Sequence, residues 1–403
     1  MKIVCIRETK IPEDNRVALT PEQIVSLQKK FPTVQWFIQK SNIRSYKDQD
    51  YEVLGIPVIE DISDCDIFLG VKEVNKEALI PNKHYIFYGH IAKEQPYNQG
   101  LIKDMINKGI TFSDYELFVN ENGKRLIGFG WWAGVVGAYN TIRAYGIKTK
   151  KFDLAPSYPD FTFIQLKENL ARVKHLLHTS IIITGNGQVS KGVQYVMGVL
   201  DGVHLSKTEF VKRTNNDKLY YTVLTSKDLV KHKDGLEYNV SDFKSNGHNY
   251  VSCFDTYARS AEILITAHFW DNNQPVYVDD KIMKDENRTL TVIGDITCDI
   301  KGSVLSTVRS TTHNDPFYDF NPLLMVEEPA FSKNNNITIM AVDTCPNALA
   351  LDASEDFGNR LSQHILPRLI MYGLEDPVIK NATILKDGKL TTDYLYLSKY
   401  AGL

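Results

Sequence analysis

Two titratable residues follow two apolar segments that read as strands, and their types suit acid–base chemistry. Lys72 comes just after the predicted strand 66–71, and His90 just after the predicted strand 85–88. In an open parallel sheet, the side chains at the carboxyl ends of the strands line the crevice where ligands bind. If the two strands are neighbours, the lysine and the histidine converge on one crevice, where both can exchange protons.

Basic side chains accompany that pair along the sequence. Arg16, Lys93 and Arg125 would add fixed positive charge, and an arginine can hold a carboxylate through two parallel N–H bonds. Taken singly, each arginine or lysine is more simply explained as a solvated surface charge, and the histidine as an ordinary polar residue. Taken together, these residue types predict a substrate with several carboxylates.

A second chemical signature lies in residues 181–192, with the sequence IIITGNGQVSKG. Three β-branched apolar residues predict a buried strand, and a glycine turn and a helical run follow it. Gly185 permits the tight turn, and Gly187 lets backbone N–H groups approach a pyrophosphate at the positive end of the helix. The usual third glycine falls at Ser190, with Gly192 two residues later. The segment predicts a dinucleotide site; the simpler alternative is an ordinary strand-to-helix turn.

The elements that must position these residues alternate between strand and helix patterns. Thr20 is a predicted helix N-cap, with Pro21 in the first turn. Small residues within 128–138 predict a long helix that packs closely on a neighbour. Residues 345–366 read as another long helix, and residues 386–389 as a hairpin turn. The patterns predict an α/β fold of two Rossmann-like domains with parallel sheets, joined by long helices, with an active-site cleft between them.

Length and composition limit the possible functions. The 403 residues suffice for two domains, which we expect to be a substrate domain of residues 1–135 plus 346–403 and a dinucleotide-binding domain of residues 136–345. A net charge of −3 argues against nucleic acid, and no apolar run is long enough for a membrane helix. Five scattered cysteines without a C-x-x-C pair indicate a cytoplasmic protein, and no metal is expected.

Several segments occur together and in order along nearly the whole chain. They include Glu8 to Lys10, Arg16 to Pro21, Leu69 to Lys72, His90 to Asn98, Asp114 to Glu116, Thr184 to Gly192, His268 to Trp270 and Ala353 to Gly358. In this arrangement the chain resembles the saccharopine dehydrogenases of the alanine dehydrogenase and transhydrogenase N-terminal superfamily. The likeness extends especially to the lysine–ketoglutarate reductase domain of the bifunctional aminoadipic semialdehyde synthases.

The resemblance implies an NAD(P)-dependent oxidoreductase that acts on CH–NH bonds. The family reaction joins the ε-amine of L-lysine to 2-oxoglutarate and reduces the resulting imine to saccharopine, or runs in reverse. In such an enzyme Lys72 and His90 are the acid–base pair. The other implied site residues bind substrate carboxylates (Arg16, Lys93 and Arg125) or tune the charge around them (Glu73 and Glu116).

We expect NADP(H) as the cofactor, with NAD(H) as the alternative. NAD enzymes usually place an acidic residue at the end of the second strand to bond the ribose diol, whereas Thr225, Ser226 and Lys227 follow the predicted strand 220–224. Hydroxyls and a lysine suit a 2′-phosphate better, although the arginine that the reductases have at this place is missing. The predicted cofactor-binding residues are Gly185, Gly187, Gln188, Val189, Gly192, Ser226, Lys227 and Asp299.

Two alternatives stay open. An alanine dehydrogenase shares the lysine, the histidine and the early arginine, but alanine has one carboxylate, which leaves Lys93 and Arg125 without a task. A non-catalytic nucleotide-binding sensor would keep the fold, but it would not need Lys72 and His90. The expected partners are small amino acids and 2-keto acids, and the protein is a monomer or a homodimer. The amine donor and the reaction direction are not determined by the sequence.

Overall fold

The computed structural model describes residues 1–403 and divides the chain into two compact units. The first unit consists of Met1–Phe129 with Ala350–Leu403, and the second of Gly130–Leu349. Each unit has its own mostly parallel sheet of eight strands and its own helices, which confirms the predicted α/β fold of two Rossmann-like domains. None of the helices combines the length and the apolar character needed to cross a bilayer.

The first unit is built on a sheet whose strands come from both ends of the chain. They are β1 (Lys2–Cys5), β2 (Gln35–Gln39), β3 (Val58–Ile59), β4 (Ile67–Leu69), β5 (His84–Phe87), β6 (Thr111–Asp114), β17 (Thr383–Lys386) and β18 (Lys389–Leu390). The spatial order is β18-β17-β6-β5-β4-β1-β2-β3. The first six strands pair in parallel, whereas β17 pairs antiparallel with β6 and with β18. The sheet is therefore mostly parallel, with an antiparallel edge formed by β17 and β18.

The helices of the first unit confirm the local sequence signals. They are α1 (Pro21–Lys30), α2 (Asp48–Glu52), α3 (Gln99–Asn107), α12 (Ala350–Arg360), α13 (Leu366–Tyr372), α14 (Pro377–Ala382) and α15 (Ser398–Ala401). Thr20 caps α1: its side chain accepts the N–H of Gln23, whose Oε1 in turn accepts the Thr20 N–H at 2.9 Å. A π-helical turn, Leu361–Ile365, joins α12 to α13. The helix predicted over 345–366 thus begins later and continues further.

Aromatic side chains fill the core of the first unit beneath β4, β5 and β6. The rings of Phe68 and Tyr85 lie 4.8 Å apart between centroids, and those of Phe87 and Phe112 lie 4.6 Å apart. All four side chains are essentially inaccessible to water, and burying each contributes about 1.5–3 kcal/mol. This packing fixes the three strands against one another, and with them the loops that follow their carboxyl ends.

The second unit contains the strand predicted before the glycine turn. Its strands are β7 (Thr179–Thr184), β8 (Val203–His204), β9 (Leu219–Leu224), β10 (Val230–His232), β11 (Tyr250–Ser252), β12 (Ile263–Thr266), β13 (Val292–Asp295), β14 (Phe317–Asn321), β15 (Val326–Glu328) and β16 (Ile337–Met340). Eight of them form a sheet in the order β15-β14-β16-β13-β12-β7-β9-β8, and β10 pairs with β11 separately. Strands β14 and β15 are antiparallel. The strand order reverses at β7, between β9 and β12.

The helices of the second unit include a pair that packs unusually closely. The helices are α4 (Gly130–Thr149), α5 (Phe163–Val173), α6 (Gln188–Val199), α7 (Lys207–Lys212), α8 (Ser226–Leu229), α9 (Val240–Ser245), α10 (Asp255–Ala258) and α11 (Asp280–Lys284). A Cβ on Gly134 would lie 1.9 Å from the backbone O of Val189, and one on Gly192 would lie 2.0 Å from that of Trp131. The predicted close packing of α4 is therefore present, and its neighbour is α6.

Candidate functional site

Strands β4 and β5 are parallel neighbours, which is the condition for bringing Lys72 and His90 to one edge of the sheet. Beyond the strands, the Tyr88 N–H still donates to the Val71 carbonyl at 3.0 Å. The His90 backbone is left-handed, with φ of 50°, a conformation that residues other than glycine rarely adopt. The pairing places both predicted proton carriers just past the carboxyl ends of adjacent strands.

Two carboxylates flank the imidazole of His90. Its Nδ1 lies 3.3 Å from Oε2 of Glu116, and its Nε2 lies 3.9 Å from Oε1 of Glu73. The side chains of the two acids are only 9% and 8% exposed, whereas that of His90 is 25% exposed. The imidazole therefore lies between two nearly buried carboxylates and stays accessible to solvent.

Three cations bind the same two carboxylates. Lys10 Nζ lies 2.8 Å from Glu73, while Lys93 Nζ and Arg125 Nη2 lie 2.9 and 3.7 Å from Glu116. Their side chains are 32%, 45% and 49% exposed, so an incoming anion can reach all three. The structure thus brings four predicted residues together with His90 and adds Lys10 to them.

The electrostatics keep both acids ionised. Burial by itself would raise the pKa of Glu116, but His90 and then Lys93 outweigh it and lower the pKa to about 2. Burial is likewise outweighed at Glu73, where Lys10 and then His90 lower the pKa. Three cations therefore face two carboxylates, which leaves the cluster attractive to an anionic ligand. No group of three or more His, Cys, Asp or Glu side chains is arranged to hold a metal ion.

Lys72 belongs to a second and more enclosed group. The Glu8 carboxylate accepts the backbone N–H of Val71 at 2.7 Å and that of Lys72 at 2.8 Å. Burial and then the charge of Asp14 raise the pKa of Glu8 to about 8. Burial would also raise the pKa of Asp14, but Arg16 and, to a smaller extent, Lys72 lower it. Lys72 therefore lies within reach of the charge of Asp14.

Arg16 is more enclosed than the other predicted carboxylate-binding residues. Its side chain is only 3% exposed, and its guanidinium holds both oxygens of Asp14, with Nε donating at 2.9 Å. The guanidinium carbon also lies 4.2 Å from the centroid of the Phe129 ring. The planar fork that was expected to bind a substrate carboxylate is thus filled by a carboxylate of the protein.

Two polar side chains that sequence reasoning missed hold the loops of the His90 cluster. Asn98 donates to the carbonyl of Gly89 at 2.7 Å and lies 3.5 Å from Glu73. Asp114 accepts the N–H of Gly89 at 3.1 Å and that of Glu116 at 2.9 Å. Burial raises the pKa of Asp114 to about 7. Both side chains therefore position the residues on either side of His90.

A signal for the missed residues did exist. Lys10, Asn98 and Asp114 all lie in segments that carry the family resemblance, 8–10, 90–98 and 114–116. Lys10 also belongs to a charged cluster, residues 7–10, that follows the first strand. The types of Asn98 and Asp114 gave no separate indication of a role, because an asparagine and an aspartate are common in surface loops.

The glycine turn after β7 fits a dinucleotide pyrophosphate. Gly185 has a φ of 85°, and a Cβ there would lie 2.5 Å from the carbonyl of Ala267, so a larger residue is excluded. Gly187 is the N-cap of α6, where a Cβ would meet no atom within 4 Å and no side chain caps the helix. The first N–H groups of α6, beginning at Gln188 and Val189, therefore meet an open space that suits an anion.

The remaining predicted cofactor residues have different surroundings. Gly192 is buried against α4, where it permits close helix packing. Ser226 begins α8, and its hydroxyl lies 2.7 Å from that of Tyr238. Lys227 beside it is exposed, and Asp299 is half-buried in the segment after β13.

The acidic residue near the end of β9 is already engaged. Asp228 accepts both the N–H and the hydroxyl of Thr225 at 2.8 Å, and Lys207 donates to its other oxygen. Burial opposes its ionisation, but Lys207 and Thr225 outweigh burial and lower the pKa of Asp228. Both oxygens of the Asp228 carboxylate thus have partners within the protein.

Residues 4–136 match the family model described as alanine dehydrogenase/PNT, N-terminal domain. The chain is 28% identical over 400 residues to alpha-aminoadipic semialdehyde synthase of Arabidopsis thaliana, with 90% of this chain and 38% of the relative covered. It is 25% identical over 397 residues to saccharopine dehydrogenase (NAD(+), L-lysine-forming) of Yarrowia lipolytica, with 94% and 95% covered. A solved L-alanine dehydrogenase shares the fold, with a TM-score of 0.64, 17% identity and 99% of each chain covered.

The chain spans less than half the length of the semialdehyde synthases it matches, 38% of the plant protein and 46% of that of Mus musculus. It matches the Yarrowia relative over nearly the full length of both. The family model, the relatives and the shared fold agree with the resemblance found in the sequence. Residues 4–136 are therefore similar to the alanine dehydrogenase/PNT N-terminal domain, and about nine-tenths of the chain is similar to saccharopine dehydrogenases and alpha-aminoadipic semialdehyde synthases.

Proposed function

We propose that the chain is an NAD(P)-dependent oxidoreductase that interconverts L-lysine plus 2-oxoglutarate and saccharopine. The observation that carries this proposal is the position of His90 between Glu73 and Glu116, at 3.9 and 3.3 Å, with three partly exposed cations on the same carboxylates. The names of the relatives in the comparisons supply the substrate class.

The exposed cations account for the anionic substrates. Saccharopine has three carboxylates and 2-oxoglutarate has two. In the structure, Lys93 and Arg125 both form ion pairs with Glu116. These two side chains are about half exposed, and they can exchange Glu116 for a substrate carboxylate while keeping a charge-assisted hydrogen bond. Lys10, bound to Glu73, is a third candidate for the same task.

The proton carriers account for the chemistry on nitrogen. When the neutral ε-amine condenses with the keto carbon, the nitrogen loses two protons and the former carbonyl oxygen gains two and leaves as water. The imine nitrogen takes up one proton when the hydride adds to the imine carbon. Bound nicotinamide supplies or accepts the hydride at the imine carbon. Lys72 and His90, which follow adjacent strands, are the groups that we assign to these proton transfers. Glu73 and Glu116 hold the His90 ring from two sides.

The cofactor that the second unit supports best is NADP(H). Asp228 is bound by Thr225 and Lys207, so it is not directed at the diol of an NAD ribose. Ser226 begins the next helix and Lys227 is exposed beside it, and a hydroxyl and an ammonium group suit a 2′-phosphate.

A substrate screen tests the proposal. The purified chain is mixed with NADPH or NADH, 2-oxoglutarate and each of a panel of amines, and cofactor oxidation is followed together with product mass. We expect turnover with L-lysine, faster with NADPH than with NADH, and a product of the mass of saccharopine. Turnover with pyruvate and ammonia instead would identify an alanine dehydrogenase. Dinucleotide binding without turnover on any pair would identify a non-catalytic sensor.

A further inference from the structure

We propose that Phe269 forms an aromatic wall of the dinucleotide site, stacking on a planar ring of the bound cofactor. The inference rests on the proposed function, since it assumes that the second unit binds NAD(P)(H). The Phe269 side chain is 71% exposed although it is wholly apolar. It follows β12, and ligands of open α/β sheets bind outside the carboxyl ends of the strands where the strand order reverses, here between β12 and β9.

The backbone places Phe269 next to the glycine turn. Thr266 at the end of β12 pairs with Thr184 at the end of β7, and the Ala267 N–H still donates to the Thr184 carbonyl at 3.1 Å. The Ala267 carbonyl is the group that excludes a side chain at Gly185. Phe269 thus lies two residues beyond the contact that shapes the proposed pyrophosphate turn.

Both neighbours of Phe269 are anchored. His268 Nδ1 lies 2.6 Å from the hydroxyl of Thr184, and burial lowers the pKa of this histidine to about 3, so the ring is neutral. Trp270 Nε1 donates to the carbonyl of Pro275 at 3.0 Å. With the side chains on either side fixed, the intervening ring is presented to solvent by an ordered backbone, which reduces the entropy lost when a ligand stacks on it.

The chemistry of an exposed ring at this edge suits a planar heterocycle. Covering an exposed apolar ring with a ligand is favourable in water, and Phe269 has its exposed ring at the sheet edge where ligands of this fold bind. Adenine and nicotinamide are both flat π systems, and stacking of a base on an aromatic side chain accounts for roughly a 5- to 100-fold gain in affinity. The shared ligand is therefore an aromatic ring of the dinucleotide, from either half of the molecule.

Binding measurements on variants test the inference without relying on turnover. The dissociation constants of NADPH and NADH are measured by calorimetry for the wild type and for Phe269→Ala, Phe269→Tyr and Tyr372→Ala. Tyr372 is a matched control, since it is 58% exposed but lies in the first unit. We expect Phe269→Ala to weaken binding by roughly 5- to 100-fold. The dissociation constants of Phe269→Tyr and Tyr372→Ala should stay within about twofold of the wild-type value.

The outcomes separate this inference from the proposed function. If the wild type binds a dinucleotide and Phe269→Ala binds it equally well, the stacking role is wrong and the proposed function is untouched. If the wild type binds neither dinucleotide, the proposed function itself fails. ADP-ribose and reduced nicotinamide mononucleotide serve as probes of the two halves. The probe whose affinity falls in Phe269→Ala identifies the ring that stacks, and an unchanged affinity for both overturns the inference.

Discussion

The side chain of Glu8 accepts the backbone N–H of Lys72 at 2.8 Å and so ties the segment after β1 to the segment after β4. The same carboxyl group accepts the N–H of Val71 at 2.7 Å. The position of the proposed acid–base lysine is therefore set through its backbone.

This contact predicts a pH dependence of stability. Burial and then Asp14 raise the pKa of Glu8 from 4.5 to about 8, so between these pH values the folded protein holds a proton that the unfolded chain releases. The free energy of unfolding should therefore fall as the pH rises from about 5 to about 8, by at most ~1.4 kcal/mol per pH unit from this group. Glu8→Gln should flatten the slope, as measured by urea unfolding at several pH values. Equal slopes in Glu8→Gln and the wild type would show that Glu8 titrates normally.

Removing either proposed proton carrier should lower the turnover rate without lowering the affinity for the cofactor. We expect Lys72→Met and His90→Gln each to lower kcat by about 10- to 1,000-fold, because each removes one acid–base group. The affinity for NADPH should stay unchanged, since both residues lie in the first unit. Lys76→Met is the matched control, since Lys76 is an exposed lysine four residues after Lys72. Full turnover in either active-site variant would remove that residue from the mechanism.

Arg125→Ala should mainly affect substrate affinity. The Arg125 side chain is 49% exposed and lies 3.7 Å from Glu116, so we assign it to a substrate carboxylate. Its loss should raise the KM for 2-oxoglutarate by about tenfold, the effect of one charge-assisted hydrogen bond. Steady-state kinetics at saturating NADPH measure the change, with the exposed neighbour Lys124→Ala as control. A fall in kcat with an unchanged KM would argue for a role in the chemical step instead.

Lys227→Met should discriminate between the two cofactors. If the exposed Lys227 binds the 2′-phosphate, its loss should lower the affinity for NADPH by about five- to tenfold and leave the affinity for NADH nearly unchanged. Isothermal titration with both dinucleotides checks this, and Lys231→Met, another exposed lysine nearby, provides the control. An equal fall in the affinities for both cofactors would show that Lys227 does not bind the 2′-phosphate.

Two glycines of the same helix should respond in opposite directions. A Cβ on Gly192 would lie 2.0 Å from the carbonyl of Trp131, whereas one on Gly198 would meet nothing within 4 Å. Gly192→Ala should therefore lower the free energy of unfolding by about 1–3 kcal/mol through overpacking. Gly198→Ala should raise it by about 0.5–1 kcal/mol, because alanine is the better helix former. Denaturant unfolding of the two variants measures both, and a stable Gly192→Ala would contradict the close contact.

Local features were the ones that the sequence predicted well. The capping exchange of Thr20 with Gln23 and the turn after β7 are determined by residues within a few positions of one another, so pattern and propensity suffice. The alternation of strands and helices predicted the β/α character of the first unit. The adjacency of β4 and β5, on which the convergence of Lys72 and His90 depended, came only from the structure.

Features that depend on distant partners were not predicted. The antiparallel pairing of β17 with β6 joins segments that no local pattern relates. The burial of Arg16 is a similar case, since an arginine two residues after an aspartate looks exposed until the surrounding Phe129 is in place. Lys10 and Asn98 acquire their roles only through Glu73, a residue more than twenty positions from either.

The discontinuity of the first unit has a consequence for biosynthesis. Ser113 of β6 contacts Thr383, which is translated 270 residues later. Domains fold as units while the ribosome elongates the chain. The second unit can therefore complete its sheet before β17, the antiparallel partner of β6, has been synthesised. During that interval β6 is an uncovered edge, the kind of strand that invites aggregation. The nascent protein should therefore depend most on chaperones after its dinucleotide half has folded and before residues 383–390 emerge.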